Sequence, residues 1–378
     1  MGNGNNKDDE SSCKKYGVPL YGAAWAPLAA GISDSTASSS VNGHVVLSGG
    51  GGEGRSGIPN ALLVAALDLG SNSLSDQPVA KLGTGSDLPY RIAVHPGGEG
   101  VICSLPKSCR WFEWEANTSE DKHSLSLKSS EKVLQQLEDV GQQLGITFNP
   151  EGNLLAVGGE DGRLRICKWP SMETTLDESS GHSSVKDLDF SPDGKFLVSV
   201  GSGPGRIWNV ASSTSIASLP KENDEVFGFC RFSRGTDADQ VLYVTAVRDN
   251  GGSIVKWNTT SWKRMNSRHV VRDPVSAFNV SPDGKLLALG TIQGDILILS
   301  STSMQVRTIV KKAHLGLVTA LAFSQDSRAL ISASLDSSAR VTLIKDTKKK
   351  GVNLWIILFV ILIAVAVYYY AKNEGLLL

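Results

Sequence analysis

Twelve consecutive residues carry most of the chemistry legible in this chain: Gly49-Gly50-Gly51-Gly52-Glu53-Gly54-Arg55-Ser56-Gly57-Ile58-Pro59-Asn60. Six of the first nine are glycine, an apolar run from His44 to Leu47 leads in, and another from Ala61 to Leu67 leads out. Glycine loses more backbone freedom on folding than any other residue, so such density does not serve helix or strand stability. It lets N–H and carbonyl groups come close to something: a phosphate, a metal ion or another protein's backbone. Gly52 to Gly57 fits G-x-G-x-x-G after a strand, but a dinucleotide site needs a helix opening directly after the glycines. Here Ile58-Pro59-Asn60 and a β-like run follow. A phosphate loop would end in Gly-Lys-Ser/Thr, which is absent. The bland reading is a flexible hairpin tip. An exposed Ile beside a φ-locking Pro favours a shaped contact surface instead.

Covalent chemistry has no comparable signal. The six histidines (His44, His95, His123, His182, His269, His314) lack H-x-x-x-H spacing, and no G-x-S-x-G elbow occurs. Acidic residues concentrate in turns and in the polar stretch Glu115 to Glu138. The five cysteines (Cys13, Cys103, Cys109, Cys167, Cys230) form no C-x-x-C and read as reduced thiols of a cytosolic domain. With a net charge of −1 there is no basic surplus, and nucleic acid is not implied as a partner.

The elements that must position the glycine loop recur along the chain. Turn motifs stand at Asn149-Pro150-Glu151-Gly152, Ser191-Pro192-Asp193-Gly194 and Ser281-Pro282-Asp283-Gly284. Degenerate copies stand at His95-Pro96-Gly97-Gly98, Ser233-Arg234-Gly235 and Ser324-Gln325-Asp326-Ser327. Their second positions are 54, 42, 42, 48 and 43 residues apart, mostly close to the 40–45 residues of a propeller blade. A β-run precedes each turn and another follows; a third often carries an aromatic, as at Trp169, Trp208 and Trp257. Short strands with regular turns argue an all-β architecture. Six units follow Tyr90, and the His44 to Leu69 hairpin with Val18 to Trp25 supplies a seventh. Leu20 to Trp25 is expected to close the ring by completing the last blade. Glu115 to Asp139 is expected to be an inter-blade excursion. The pattern resembles the WD-repeat family, with Gly181-His182, Asp187 and Trp208 as the best copy and Ala313-His314 as another. That resemblance gives His182 and His314 structural hydrogen bonds.

The two ends differ from the repeats. Residues 1–15 read as a disordered leader: no cleavable signal peptide is expected, and Asn6 stands where a myristoylation motif needs Ser or Thr. Val352 to Tyr370 is about nineteen residues without a charge, the length of one membrane span, with Trp355 and Tyr368 to Tyr370 placed like interfacial aromatics. Lys345, Lys348, Lys349 and Lys350 precede it and only Lys372 follows, which puts the N-terminal domain in the cytosol. The sequons at Asn117 and Asn258 would then be unused. The expected organisation is a leader at 1–15, a cytosolic seven-bladed β-propeller at 16–347, a basic flank at 348–351, a transmembrane helix at 352–370 and a short lumenal tail at 371–378.

The combination of propeller, first-blade glycine loop and C-proximal span resembles the Sec-twelve family, which includes the prolactin regulatory element-binding protein. Tyr21-Gly22-Ala23-Ala24-Trp25 and Arg91-Ile92-Ala93-Val94-His95-Pro96-Gly97-Gly98 resemble its plant branch. The resemblance implies a single-pass protein of the endoplasmic reticulum membrane that exchanges guanine nucleotide on the Sar-family small GTPase, without covalent chemistry. It would thereby start COPII vesicle formation and transport to the Golgi. It also implies a potassium ion held by the backbone of Gly49, Gly50, Gly51, Gly52, Gly54 and Gly57, and a GTPase-contacting tip of Ile58, Pro59 and Asn60. Asn60 could in addition hold the loop by bonding local backbone. A second reading is a non-exchange helper for the exit of one membrane cargo, like the phosphate transporter traffic facilitator, a relative that lacks this glycine loop.

Overall fold

The computed structural model describes residues 12–27, 43–54, 56–68, 70–119, 122–222, 224–235, 241–249, 251–344, 359, 361–367 and 370. It divides into two units, Met1–Leu343 and Ile344–Leu378. The first is a ring of seven antiparallel sheets, the blades of a propeller. Their innermost strands, blades 1 to 7 in order, are Leu20–Trp25, Ile92–Val94, Gln143–Phe148, Val185–Phe190, Val226–Phe232, Val275–Val280 and Val318–Phe323. Each packs against the innermost strands on either side of it.

Burial follows position within the blade. The second strands Leu286–Thr291 and Ala329–Ser334 are buried at every position, because the blades on both sides cover them. They therefore read as continuous small and apolar runs rather than alternating ones. The outermost strands Thr214–Leu219 and Val306–Val310 are mostly exposed and correspondingly polar or mixed.

Three of the turn motifs share one hydrogen-bond set. Ser191 Oγ donates to Asp193 Oδ1 at 2.6 Å and accepts from the Phe196 N–H at 2.9 Å, while Gly194 takes φ +68°. Ser281 and Asp283 repeat it, as do Ser324 and Asp326, where Ser327 occupies the left-handed position at φ +59°. Ser-x-Asp is thus the part of the motif that matters, and Pro and Gly are dispensable in the last copy. His182 and His314 make the expected structural bonds. His182 Nε2 lies 2.9 Å from Ser199 Oγ, which also accepts from Trp208 Nε1, and His314 lies between Ser338 Oγ and Ser332 Oγ at 2.6 and 2.7 Å.

The ring closes differently from expectation. Cys13–Lys15 is the outer strand of blade 7, paired antiparallel with Ser338–Leu343 through Cys13↔Arg340, Lys14↔Ala339 and Lys15↔Ser338. Leu20–Trp25 instead becomes the innermost strand of blade 1, held to blade 7 by Trp25 Nε1 to the Ala322 carbonyl and by Thr319 Oγ1 to the Leu20 carbonyl. A closing strand has to precede the first innermost strand, and three rungs suffice. Cys-Lys-Lys gives no β signal, which is why the leader was expected to run through residue 15. The part of that leader from 1 to 11 lies outside the described residues. Glu115 to Asp139 also differs: Cys109–Ser119 and Lys122–Ser129 form a hairpin, the outer half of blade 2, and the following crossover buries Leu134 and Leu137.

In the second unit, residues 359, 361–367 and 370 are helical. Among the described residues no helix is long and apolar enough to cross a membrane. The basic flank, the tail and the remainder of the expected 352–370 span lie outside the described residues.

Connections sort onto two faces because the strands of each blade alternate in direction. The Ser-x-Asp turns follow the innermost strands on one face. The second-to-third-strand loops and the crossovers between blades lie on the other, and the glycine loop, joining Gly43–Gly49 to Asn60–Asp68, is among them.

Buried His314 makes this fold acid-sensitive. Burial pushes its imidazole down to about 4, against a partial opposing pull from Asp336. Its folded value is depressed, so its contribution is full above the ordinary value near 6.5 and is lost as pH falls through 4. Stability should drop by about 3 kcal/mol across that window from this residue. Urea unfolding at stepped pH should show a shallower slope in His314→Gln; an unchanged slope would acquit the residue.

Candidate functional site

The glycine loop is rooted before it is exposed. Its two strands pair from Gly43↔Leu67 to Gly49↔Ala61, and the Gly50 N–H then donates to the Pro19 carbonyl at 3.0 Å. Pro19 lies in the short link between the closing strand and blade 1, so the loop's root is tied to the ring's closure. A side chain at Gly49 would meet the Pro19 carbonyl at 2.4 Å, and one at Gly50, at φ +155°, would meet Asn60 Oδ1 at 2.1 Å. Gly51 is closed off by Ser56 Oγ at 2.2 Å. Gly52 and Gly57 are open but take φ +78° and +71°, whereas Gly54 has neither restriction.

Asn60 organises the loop. Its Oδ1 accepts from the Gly52 N–H at 2.9 Å. Its Nδ2 faces three carbonyls, those of Gly52 at 3.2 Å, Gly85 at 3.1 Å and Ser86 at 3.0 Å. The oxygen's bond to a backbone N–H fixes which way the amide points. One side chain therefore joins the glycine loop to the end of strand Ala80–Gly85 and to the crossover that leaves it. Two N–H groups serve three carbonyls, so a surplus of acceptor oxygen collects there.

The expected contact tip is accordingly split. Pro59 is exposed, Ile58 is half-buried against the core shared by blades 1 and 7, and Asn60 is 4% exposed. Asn60 holds the loop in position, with its amide bonded to Gly52 within the loop and to Gly85 and Ser86 beyond it. Glu53, Gly54, Ser56 and Gly57 are exposed with Pro59; Arg55 lies outside the described residues. Of the six glycines expected to shape an ion site, Gly52 contributes the carbonyl that joins this oxygen cluster. Gly49 is occupied in the β-ladder. Gly85, Ser86 and Pro19 escaped sequence reasoning because they act through backbone atoms, which leave no side-chain signature. Among the described residues no group of three or more His, Cys, Asp or Glu is placed to hold a metal ion.

Comparison with known proteins agrees with this architecture. Residues 147–247 match the anaphase-promoting complex subunit 4 WD40 domain, and residues 304–342 match the WD domain, G-beta repeat. The chain is 50% identical over 360 residues to SEC12-like protein 2 of Arabidopsis thaliana, covering 91% of each chain. It is 31% identical to SEC12-like protein 1 of the same plant, covering 84% of this chain and 80% of that one. The chain belongs to the SEC12-like family. At greater distance, the guanine nucleotide-exchange factor SEC12 of Mus musculus is 24% identical over 404 residues, across 91% of this chain and 94% of that one.

In this SEC12-like chain the loop is a preset surface: its base is hydrogen-bonded, its middle is clamped, and only its outer edge meets solvent. Such a surface loses little conformational entropy when a partner covers it. The clamp also gives the glycines separable roles. Gly50→Ala should destabilise the protein by about 3 kcal/mol or more through overlap with Asn60. Asn60→Ala should cost about 2–3 kcal/mol by stranding buried polar groups. Gly54→Ala should be neutral within about 0.5 kcal/mol. Thermal unfolding of the three variants checks the order, and equal effects would refute the clamp.

Proposed function

We propose that this chain is a guanine-nucleotide exchange factor for the Sar-family small GTPase at the endoplasmic reticulum membrane, where it starts COPII vesicle formation. The observation that carries the reading is a rooted, amide-clamped glycine loop presenting Glu53, Gly54, Ser56, Gly57 and Pro59 on one propeller face. It is supported by membership of a family whose more distant relatives are named guanine nucleotide-exchange factors.

Exchange of this kind needs no covalent step. The loop surface binds the GTPase more tightly when its nucleotide is absent than when GDP is present. Linkage requires that the same factor weaken GDP binding. Each tenfold difference corresponds to about 1.4 kcal/mol of differential contact. Asn60 keeps the loop from relaxing around the partner, so the contact energy goes into displacing nucleotide rather than into ordering the loop.

A potassium ion fits the chemistry of this loop. The carbonyls of Gly52, Gly85 and Ser86 gather round the Asn60 amide, and each keeps a second lone pair as a neutral oxygen donor of the kind a hard cation prefers. In this reading Gly52 supplies the loop's oxygen, and the ion adds a fixed positive charge that holds the carbonyls together. The remaining glycines shape the path rather than ligate. The apolar segment 352–370 anchors the propeller to the membrane as a single span, with the propeller in the cytosol.

Two measurements test this. The full chain should accelerate GDP release from a Sar-family GTPase, and Asn60→Ala should reduce that acceleration about tenfold or more. Replacing potassium with lithium should lower it in the wild type as well. No acceleration by the folded chain would hand the case to the cargo-specific exit helper, and indifference to the cation would remove the ion. For the anchor, the full chain should float with phospholipid vesicles in a density gradient while a chain ending at Leu343 stays behind. Recovery of both at the bottom would remove the span.

A further inference from the structure

The seven innermost strands enclose an axial cavity of about 340 Å3, with Arg91, Asp187, Arg231, Arg234 and Thr319 among its lining. Two of its three guanidiniums are already neutralised. Arg231 pairs with Asp187, which also accepts the Cys230 N–H at 2.9 Å. Arg234 donates to Asp189 at 2.8 Å, and Asp189 in turn accepts the Phe232 N–H at 2.8 Å. The two carboxylates are thereby committed to stapling blade 4 to blade 5.

Arg91 is different. It immediately precedes the innermost strand of blade 2 and so stands at the cavity mouth on the glycine-loop face. Its backbone is fixed on Ser104, with the Arg91 N–H donating to Ser104 Oγ at 3.0 Å and the Ser104 N–H donating to the Arg91 carbonyl at 2.8 Å. Its guanidinium donates to the Thr319 carbonyl at 3.0 Å and rests 4.9 Å from the centre of the Tyr90 ring. Among the described residues no carboxylate lies within 4.0 Å of it; Asp187, across the cavity, feels its charge from further off but has its own pair in Arg231. A half-buried guanidinium has five N–H donors in a rigid fork suited to carboxylate or phosphate. Stacking on Tyr90 and one carbonyl bond orient that fork without satisfying it.

The crossover ending at Arg91 begins at Gly85 and Ser86, two of the three carbonyls that Asn60 holds. One side chain therefore sets both the glycine loop and the start of the segment that delivers Arg91. We propose that Arg91, oriented by Tyr90 and Thr319, forms an oxyanion site at the loop-face mouth of the axial cavity, taking a carboxylate or a phosphate. The oxyanion either diffuses in free or is carried by the protein that covers the glycine loop; only the second form rests on the exchange reading.

The test uses the full chain and its Arg91→Gln and Arg91→Lys variants. In the first arm, inorganic phosphate is titrated by calorimetry at constant ionic strength. Binding to the wild type that Arg91→Gln abolishes and Arg91→Lys weakens about tenfold supports a free oxyanion. In the second arm, affinity for the nucleotide-free GTPase is measured in phosphate-free buffer. A loss of about tenfold in Arg91→Gln, shrinking at high salt, supports a partner-borne oxyanion. Thermal unfolding of Arg91→Lys, which keeps a charge and a donor for Thr319, separates loss of the site from loss of the ring. Indifference of both arms to Arg91 in folded variants overturns the proposal. Wild-type protein that binds phosphate through Arg91 but does not accelerate nucleotide release keeps the site and sinks the exchange reading alone.

Discussion

Everything in this molecule depends on a three-rung ladder. A propeller blade buries both faces of its inner strands against its neighbours, so no blade is stable alone and an open ring leaves a bare sheet edge. Cys13–Lys15 covers the third strand of blade 7 and makes the last blade four-stranded. The closure is reinforced outside the ladder: Tyr16 donates from its hydroxyl to the Ser75 carbonyl and from its N–H to the Ser337 carbonyl. Lys14 Nζ lies 2.6 Å from Asp76 Oδ1, a pair whose carboxylate is largely exposed and whose worth is correspondingly small. Blade 1 and blade 7 then share one apolar core, from Val18 and Leu20 through Leu47 and Leu63 to Ile331 and Val341.

The glycine loop inherits its rigidity from that closure. Its first bond, from the Gly50 N–H, goes to Pro19, four residues past the closing strand. Ile58 leans on the shared core, and Asn60 ties the loop to the crossover into blade 2. Ring closure, loop shape and the position of Arg91 thus form one continuous set of bonds around a single junction. The hydrogen bond from the Gly50 N–H to the Pro19 carbonyl is the link between the closing strand's side of the ring and the loop.

Seven blades were legible because turn motifs, three of them Ser-x-Asp, recur near blade spacing and the His44 to Leu69 hairpin supplies one more unit. The glycine loop was legible because glycine is informative wherever there is no room for a side chain: one added at Gly50 would lie 2.6 Å from the Asn60 Cα. What the sequence hid was written in backbone atoms or by elimination. Cys-Lys-Lys has no strand pattern of its own and pairs because Ser338–Leu343 offers an edge at the right place. The role of Asn60 was half visible: an asparagine that bonds local backbone was expected, but its burial depends on Gly85 and Ser86, some 25 residues away. The charged stretch after Glu115 looked like a loop because polar residues there hide the alternation of buried Leu125 and Leu127 with Ser126 and Lys128.

Strand parity has a consequence for how the molecule can be handled. The closing strand enters blade 7 from Ser12, whose carbonyl accepts the Val341 N–H, and the third strand of that blade ends at Leu343. Both strands run with their free ends toward the face of the Ser-x-Asp turns, opposite the glycine loop. The two termini of the ring therefore emerge side by side, like the two leads of one plug. A tether, tag or sensor surface attached at either end leaves the opposite face, with the loop and the mouth at Arg91, open to solution.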